Sequence, residues 1–402
     1  MADNKDKKVL NVPALRFPEF IKSWECSILE KLSKKIGDGI HSTPSYDDNG
    51  TFYFINGNNL NGGKIVITSS TKRVSEKEAY KNNAENLEAN SILMSINGTI
   101  GNVALYHNEP IMLGKSACYI NSKDNIDKNY LFYYLQYPKT QLYFEAELTG
   151  TTIKNLSLQS IRKTKIYIPT IEEQHKISRF LQKIDERIST QNKIIEKLET
   201  LIKGIVDSIF TANEFPKVPF KEIYVRAGEG GTPATSNPEY YDNGTIPFIK
   251  IDDLQNKYIK TNKDCITELG LQKSSAWIVP ANSIIYSNGA TIGAISINLF
   301  PVCTKQGILG VVPKADINVE FLYYFMTSTA FTKAVERIVT EGTMRTAYLK
   351  DINHIPCPVP CSVKQDEIAK LLSTLSEKLE NEVIFQMKLQ KQKEFLLSQM
   401  FI

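Results

Sequence analysis

Four histidines and six cysteines are spread through 402 residues, and no two of the cysteines form a Cys-x-x-Cys pair. Disulfide frameworks and zinc sites both depend on such clustering, so neither is expected. The one tight group is His354, Cys357 and Cys361; three residues separate its cysteines, no fourth ligand is nearby, and no metal is assigned to it. No run of about 18 apolar residues occurs, and the first ten residues are polar and charged. That excludes a helical membrane span and a secretory signal, and predicts a soluble, cytoplasmic protein. Charge of one sign is scarce as well, with 48 basic against 44 acidic side chains and a net charge of +4. Residues 14–170 carry 18 basic and 15 acidic groups, and residues 214–360 carry 14 of each. An anionic partner would therefore be held by local clusters rather than by overall charge. What remains is an ordinary globular composition, 42% hydrophobic, sufficient for two or three domains.

The chain is written twice. Residues 91–101 return as 283–293 with six of eleven positions identical, a shift of 192. The aromatic run 130–135 returns as 321–326, Thr152, Ile153 and Lys154 as Thr343, Met344 and Arg345, and Thr43 with Pro44 as Thr232 with Pro233. Pro169 followed by Gln174 matches Pro360 followed by Gln365. Each half opens with short Val, Ile, Tyr and Phe runs, such as 51–55 and 246–251, separated by Gly-rich turns, which predicts strands and hairpins of an α+β domain. The two aromatic runs have helical spacing beside Leu and Met and read as core.

Each half closes on a long periodic segment. In residues 177–209 one heptad row holds Leu181, Ile188, Ile195, Ile202 and Ile209, and the other Ile177, Ile184, Gln191, Leu198 and Ile205, nine apolar of ten. The second segment gives Leu372, Leu379, Gln386, Lys393 and Met400 against Ile368, Leu375, Glu382, Leu389 and Leu396, seven of ten. Two helices of about 33 residues, each about 50 Å long, are expected to pair as an antiparallel coiled coil with a domain at each end and Gln191 opposite Gln386. The alternative is that each helix packs on its own domain. The boundaries read as a first domain over 1–170, a central helix over 171–212, a second domain over 213–360 and a C-terminal helix over 361–402.

Catalytic constellations are missing. Asn237, Pro238, Glu239 and Tyr240 approach the Asn-Pro-Pro-Tyr signature of adenine methyltransferases but lack the second proline and a Gly-rich loop for the methyl donor. Residues 57–64 miss the spacing of a phosphate loop, and residues 228–233 put Pro233 where a dinucleotide loop needs glycine. All three read as turns. No nucleophile and base stand in a credible order, so no catalytic residue is assigned. The competing readings are a divergent adenine methyltransferase and a purely structural coiled-coil adaptor.

The opening over 13–20 with Trp24 and Glu25, the segments 39–44 and 230–233, the Gly-Thr-Ile-Gly and Ala-Thr-Ile-Gly loops, and Ile168 and Pro169 leading into Ile171, Glu172, Glu173, Gln174 and Ile177 together resemble the DNA specificity (S) subunits of type I restriction-modification enzymes. The second copy is looser: Lys364 stands where the first has Glu173, and its lead over 215–222 has no Trp. The resemblance implies two target recognition domains, each reading one half of a bipartite, asymmetric site in double-stranded DNA. It implies helices that set the spacer and dock two methyltransferase subunits. S-adenosylmethionine would belong to those subunits, ATP and Mg to partner subunits including separate restriction subunits, and this chain would be a non-catalytic subunit without a cofactor of its own.

DNA-facing side chains must sit on loops and offer donors or acceptors. In the first half the candidates are His41, Ser42, Thr43, Asn56, Asn58, Asn59, Asn97, Thr99, Lys115, Lys154 and Asn155. In the second they are Thr232, Thr235, Ser236, Lys250, Asp252, Asn288, Thr291, Lys305, Arg345 and Thr346.

Overall fold

A computed structural model describes residues 11–82, 84–150, 154–212, 215–289, 291–339 and 345–402. The repeated positions Thr152, Ile153, Ala290, Thr343 and Met344 lie outside them. The chain divides into two compact units: Met1–Gln191 with Phe385–Ile402, and Asn192–Ile384.

In the first unit four antiparallel strands lie in the order Ser33–Asp38, Ala117–Ser122, Ser91–Ser95, Val103–Leu105. A second sheet orders Arg73–Val74, Phe52–Ile55 and Ile111–Leu113, the last two parallel. A ribbon pairs Glu25–Ile28 with Lys165–Ile168. The second unit repeats the plan. Its larger sheet runs Tyr224–Glu229, Ile308–Pro313, Ile284–Ser287, Ile295–Asn298 and Tyr258–Ile259, its smaller one Asp264–Ile266, Ile246–Ile249 and Cys303–Thr304, and its ribbon pairs Lys217–Pro219 with Pro356–Pro358. Even the register repeats: Leu93 faces Tyr119, and Ile285 faces Gly310. The duplication in the sequence is thus a duplication of topology.

Successive side chains of a strand point to opposite faces, and here both faces are covered. Ile92 and Met94 join the core under the aromatic helix, while Leu93 joins a core shared with Ile55 and Ile111 of the smaller sheet. That is why residues 91–95 read as a continuous apolar run rather than an alternation. The aromatic runs lie in helices Lys128–Leu135 and Val319–Thr327, and their rings are core except that of Tyr323, which is half-buried against it.

The central helix spans Ile171–Thr211 and the C-terminal helix Ser362–Met400, each starting six residues before its apolar period. None of the twenty heptad positions is exposed, Gln191 being buried and Gln386 half-buried. Within the first unit Asp185 pairs with Lys393 at 2.8 Å, which accounts for a lysine in an apolar row, and Ile177, Leu181 and Ile184 share a core with Leu396, Leu397 and Met400. Within the second, Val206 and Phe210 share a core with Ile368, Ala369 and Leu372.

The Pro-x4-Gln motif marks a clamp at each helix start. Gln174, 2% exposed, accepts from Asp127 N at 3.1 Å and donates to Pro169 O at 3.0 Å. Gln365 accepts from Asn318 N and donates to Pro360 O, both at 2.9 Å. Asp127 and Asn318 cap the aromatic helices, so one amide ties a long helix to its domain. Replacing Gln174 by Leu keeps the volume but strands a buried N–H and a buried C=O. We expect a loss of about 1–3 kcal/mol per stranded group, read as an earlier transition in denaturant unfolding.

The neighbouring Glu173, 1% exposed, receives Arg16 Nε at 2.7 Å and a second Arg16 nitrogen at 2.8 Å, with Trp24 Nε1 at 3.3 Å. The hydrogen bond to Glu173 raises the Arg16 pKa, against the opposing effect of burial. In the second copy Lys364 is exposed and pairs with Glu367. The missing Trp and the missing Glu are therefore one change: without the buried carboxylate there is nothing for Arg16 and Trp24 to serve.

No helix among the described residues is long and apolar enough to cross a membrane.

Candidate nucleic-acid interface

Five loops of the first unit are bonded into one surface. Gly39 N donates to Ala117 O and Ile40 N to Leu113 O. Asn56 Oδ1 accepts from Ser116 Oγ at 2.9 Å, and that hydroxyl accepts from Gly57 N at 2.8 Å. Asn59 accepts from Asn56 N and donates to Val66 O. Thr99 Oγ1 donates to Gly57 O at 3.2 Å and Asn97 Nδ2 to Lys115 O at 3.3 Å, while Asn97 also bridges to Asn155. Segments 39–43, 56–59, 97–101, 114–116 and 154–155 are thereby joined.

The second unit builds the same surface with other side chains. Gly230 N donates to Ile308 O, Lys305 N to Ile249 O, and Gln306 N to Thr232 Oγ1 at 3.3 Å. Asn288 exchanges backbone bonds with Gly307 and Ala347, and its Nδ2 donates to Ala347 O at 3.1 Å. Segments 230–232, 249–253, 288–289, 291–293, 305–307 and 345–347 meet there; Thr235 and Ser236 sit exposed on the next turn. Gly39 and Gly230 hold equivalent places. A Cβ on either would press on a carbonyl oxygen of the crossing strand, Leu113 O or Thr304 O, which is the reason for glycine at both.

These bonds sort the candidates. Asn56, Asn59 and Asn97 spend side-chain groups on the scaffold, and Asn155 and Thr346 are half-buried. His41 is exposed and faces Asp38 at 2.8 Å, and Lys250 pairs with Asp264 at 2.9 Å. Asn288 is a correction: at 1% exposure it lies beneath the surface it braces. Exposed, and without a side-chain partner among the described residues, are Ser42, Thr43, Asn58, Lys115 and Lys154 in the first unit, and Thr235, Ser236, Asp252, Thr291, Lys305 and Arg345 in the second. Ser116 was missed from sequence, since its link to Asn56 joins residues 60 apart.

A cavity of about 300 Å³ in the second unit adjoins this surface, with Thr291, Gly293, Thr332, Val335 and Arg345 in its wall. The first unit fills the equivalent place with Gln141, which donates to Gly101 O at 3.1 Å. Thr332 bonds its own helix at Ser328 O instead.

The near-misses resolve locally. Asn237 accepts from Glu239 N and starts a 3-10 turn, Pro238–Tyr240, so its side chain is spent. Residues 57–65 are a 3-10 turn, Gly57–Asn59, followed by a small hairpin. The expected turn at 228–233 is corrected in part, because Gly228 and Glu229 belong to strand Tyr224–Glu229. Cys357 is buried, which raises its thiol pKa, whereas Cys361 is exposed and His354 Nδ1 lies 2.9 Å from Lys350 O.

The sequence matches the family profile described as "Type I restriction modification DNA specificity domain" twice, over residues 22–200 and 217–388. It is 24% identical over 390 residues to a putative type I restriction enzyme MjaX specificity subunit of Methanocaldococcus jannaschii, covering 90% of this chain and 89% of that one. The MjaIX specificity subunit of the same organism is 29% identical over 191 residues, 45% of this chain and 44% of that one. The HindI specificity subunit of Haemophilus influenzae is 31% identical over 159 residues, 38% and 34% of the two chains. Among solved structures, the type I restriction-modification S subunit from M. genitalium superposes with a TM-score of 0.56 at 18% identity over 97% of this chain and 99% of that one. A chain from a study of type I R-M complex assembly and conformational transition gives 0.59 at 15% identity, covering 94% and 97%. At such identities these two likenesses are of fold.

Proposed function

The chain belongs to the type I restriction modification DNA specificity family, and on that premise we propose that it is the DNA-reading subunit of a type I restriction-modification complex, each unit contacting one half of a bipartite, asymmetric site. The observation that carries this reading is the five-loop surface built twice on one sheet order, with the scaffold kept and the free side chains changed. A specificity subunit is not the catalyst. Methyl transfer from S-adenosylmethionine falls to two methyltransferase subunits, and ATP- and Mg-dependent restriction to further subunits, all in the cytoplasm.

In the same proposal the domains are 1–170 and 213–360, and the helices over 171–212 and 361–402 pair as an antiparallel coiled coil that sets the spacer and docks the methyltransferase subunits. The pairs named above support it. Asp185 meets Lys393 in one unit, and Val206 and Phe210 share a core with Ile368 and Leu372 in the other, so partner numbers fall as central-helix numbers rise.

The test is adenine-methylation mapping of cells expressing the chain with its methyltransferase partner, against cells lacking the chain. Loss of one bipartite, asymmetric motif is the expected result; an unchanged methylome overturns the reading.

Within that assay Arg345 is the side chain whose loss relaxes sequence. It is exposed, free of partners among the described residues, and able to give two donors to one guanine. Arg345→Ala is expected to cost about 1–3 kcal/mol of discrimination at a single base pair of one half-site. The map should show that position degenerate and every other position intact.

A further inference from the structure

Strand Tyr224–Glu229 is the edge of the five-stranded sheet, and its pairing with Ile308–Pro313 slips between Tyr224 and Arg226, leaving Val225 as the extra residue of a bulge, 67% exposed. A bulge re-aims the side chain that follows it. Here the next residue, Arg226, lays its guanidinium 4.0 Å from the centroid of the Trp277 ring.

The indole has a bed made for it. A Cβ on Gly310 would come within 3.0 Å of the ring and 2.4 Å of Val279 Cγ2, so glycine there leaves room for the Trp, and a Cβ on Gly228 would lie in ordinary contact with the ring at 3.4 Å. Arg226 is exposed, and among the described residues its side chain has no hydrogen bond and no carboxylate partner. A guanidinium stacked by its face keeps its N–H donors at the rim, turned outward, in a fork that matches a phosphate. Nothing among the described residues uses those donors.

The stack lies beside the candidate interface. A Cβ on Gly231 would meet Ser275 and Ala276, so the segment carrying Trp277 abuts the loop at 230–232. From Arg226 to Gly230 is four extended residues, about 13 Å, or about four base-pair rises along a duplex.

We infer that Arg226, held over the Trp277 ring, is a phosphate clamp for the duplex that flanks the half-site read by the second unit. The inference rests on the DNA-reading function proposed above. A guanidinium pinned against an indole is set to hold a backbone, whereas Arg345 is free to enter a groove. The first unit carries the same bulge, followed by Lys35, but that amine is bonded to Asn86 Oδ1 and the equivalent glycine, Gly37, faces Tyr119 instead.

The experiment uses the chain assembled with its methyltransferase partners, and fluorescence anisotropy with cognate and scrambled duplexes across a salt series. For Arg226→Ala we expect binding to weaken about 3- to 10-fold on both duplexes alike, and the slope of log K against log salt to fall in magnitude by about 0.9, one phosphate contact. The methylated motif stays the same. Arg226→Lys keeps the charge and is expected to hold the wild-type slope while binding less tightly than wild type. Arg226→Gln, which keeps the length of the side chain, is expected to match the alanine variant and stands in for it if that assembly is unstable. An unchanged slope and affinity in the alanine and glutamine variants, or a changed motif, overturns the clamp. Failure of the wild-type complex to prefer its cognate duplex overturns the DNA-reading function itself, which separates the two failures.

Discussion

Arg16→Ala is expected to destabilise the first unit by about 3–5 kcal/mol, the range for removing one partner of a buried ion pair. Glu173 is 1% exposed and takes both of its strong hydrogen bonds from the Arg16 guanidinium. After the substitution the carboxylate keeps, among the described residues, only the indole N–H of Trp24 at 3.3 Å, and a lone anion in that setting costs far more than an unpaired neutral group. Because Trp24 packs edge-on against Tyr130 of the aromatic helix, the strain falls on the core and not on a surface strap. Trp24 fluorescence during denaturant unfolding is the measurement. The double variant R16M/E173L, which removes both charges, should recover most of the loss, since a buried pair replaced by apolar groups is often close to neutral. Lys364→Ala at the equivalent place of the second copy should fall within about 0.5 kcal/mol, its partner being an exposed Glu367. If Arg16→Ala were as mild as Lys364→Ala, the Glu173 site would be no anchor, and the link between the opening segment and the central helix would need another cause.

The contrast shows what could be read without coordinates. Both long helices, their apolar rows and the doubled topology were legible, because each is written in local periodicity or in self-similarity. Their starts were less so. The first six residues of each helix carry Glu172, Glu173 and Gln174, or Lys364 and Gln365, whose work is to clamp a distant cap or arginine, and such work leaves no period. The interface divides in the same way. Its loops were visible as echoes, yet Asn58 and Asn288 look alike in the sequence, although one is exposed and the other lies inside, bonded to Ala347. Which Asn stays free and which Asn braces is decided by contacts 40 to 60 residues away, as between Thr99 and Gly57 or Ser116 and Asn56. Gly230 reads as a turn residue in the sequence; it is a glycine because the crossing backbone at Thr304 occupies the space of its side chain.

Inserting seven residues into each long helix, after Gln191 and after Ile384, is expected to lengthen the spacer of the methylated motif and leave both half-sites as they are. These are the points at which the two compact units divide both helices, so neither five-loop surface is touched. Seven residues add about 10.5 Å of helix, or about three base-pair rises. They also restore the phase of the two apolar rows, because a heptad returns the same face to the same partner. Five residues inserted at the same points add about 7.5 Å but turn the rows that follow by about 140°, so positions such as Leu198 and Leu375, now half-buried, would turn toward solvent. That variant should lose methylation altogether rather than shift its spacer. Methylation mapping reads both results directly. A spacer unchanged by the heptads, or half-sites that change with them, would separate helix length from spacing and leave the helices a docking role alone. A spacer that moves with the heptads, together with loss of methylation in the five-residue variants, would make the helix pair the element that measures the distance between the two sequences read.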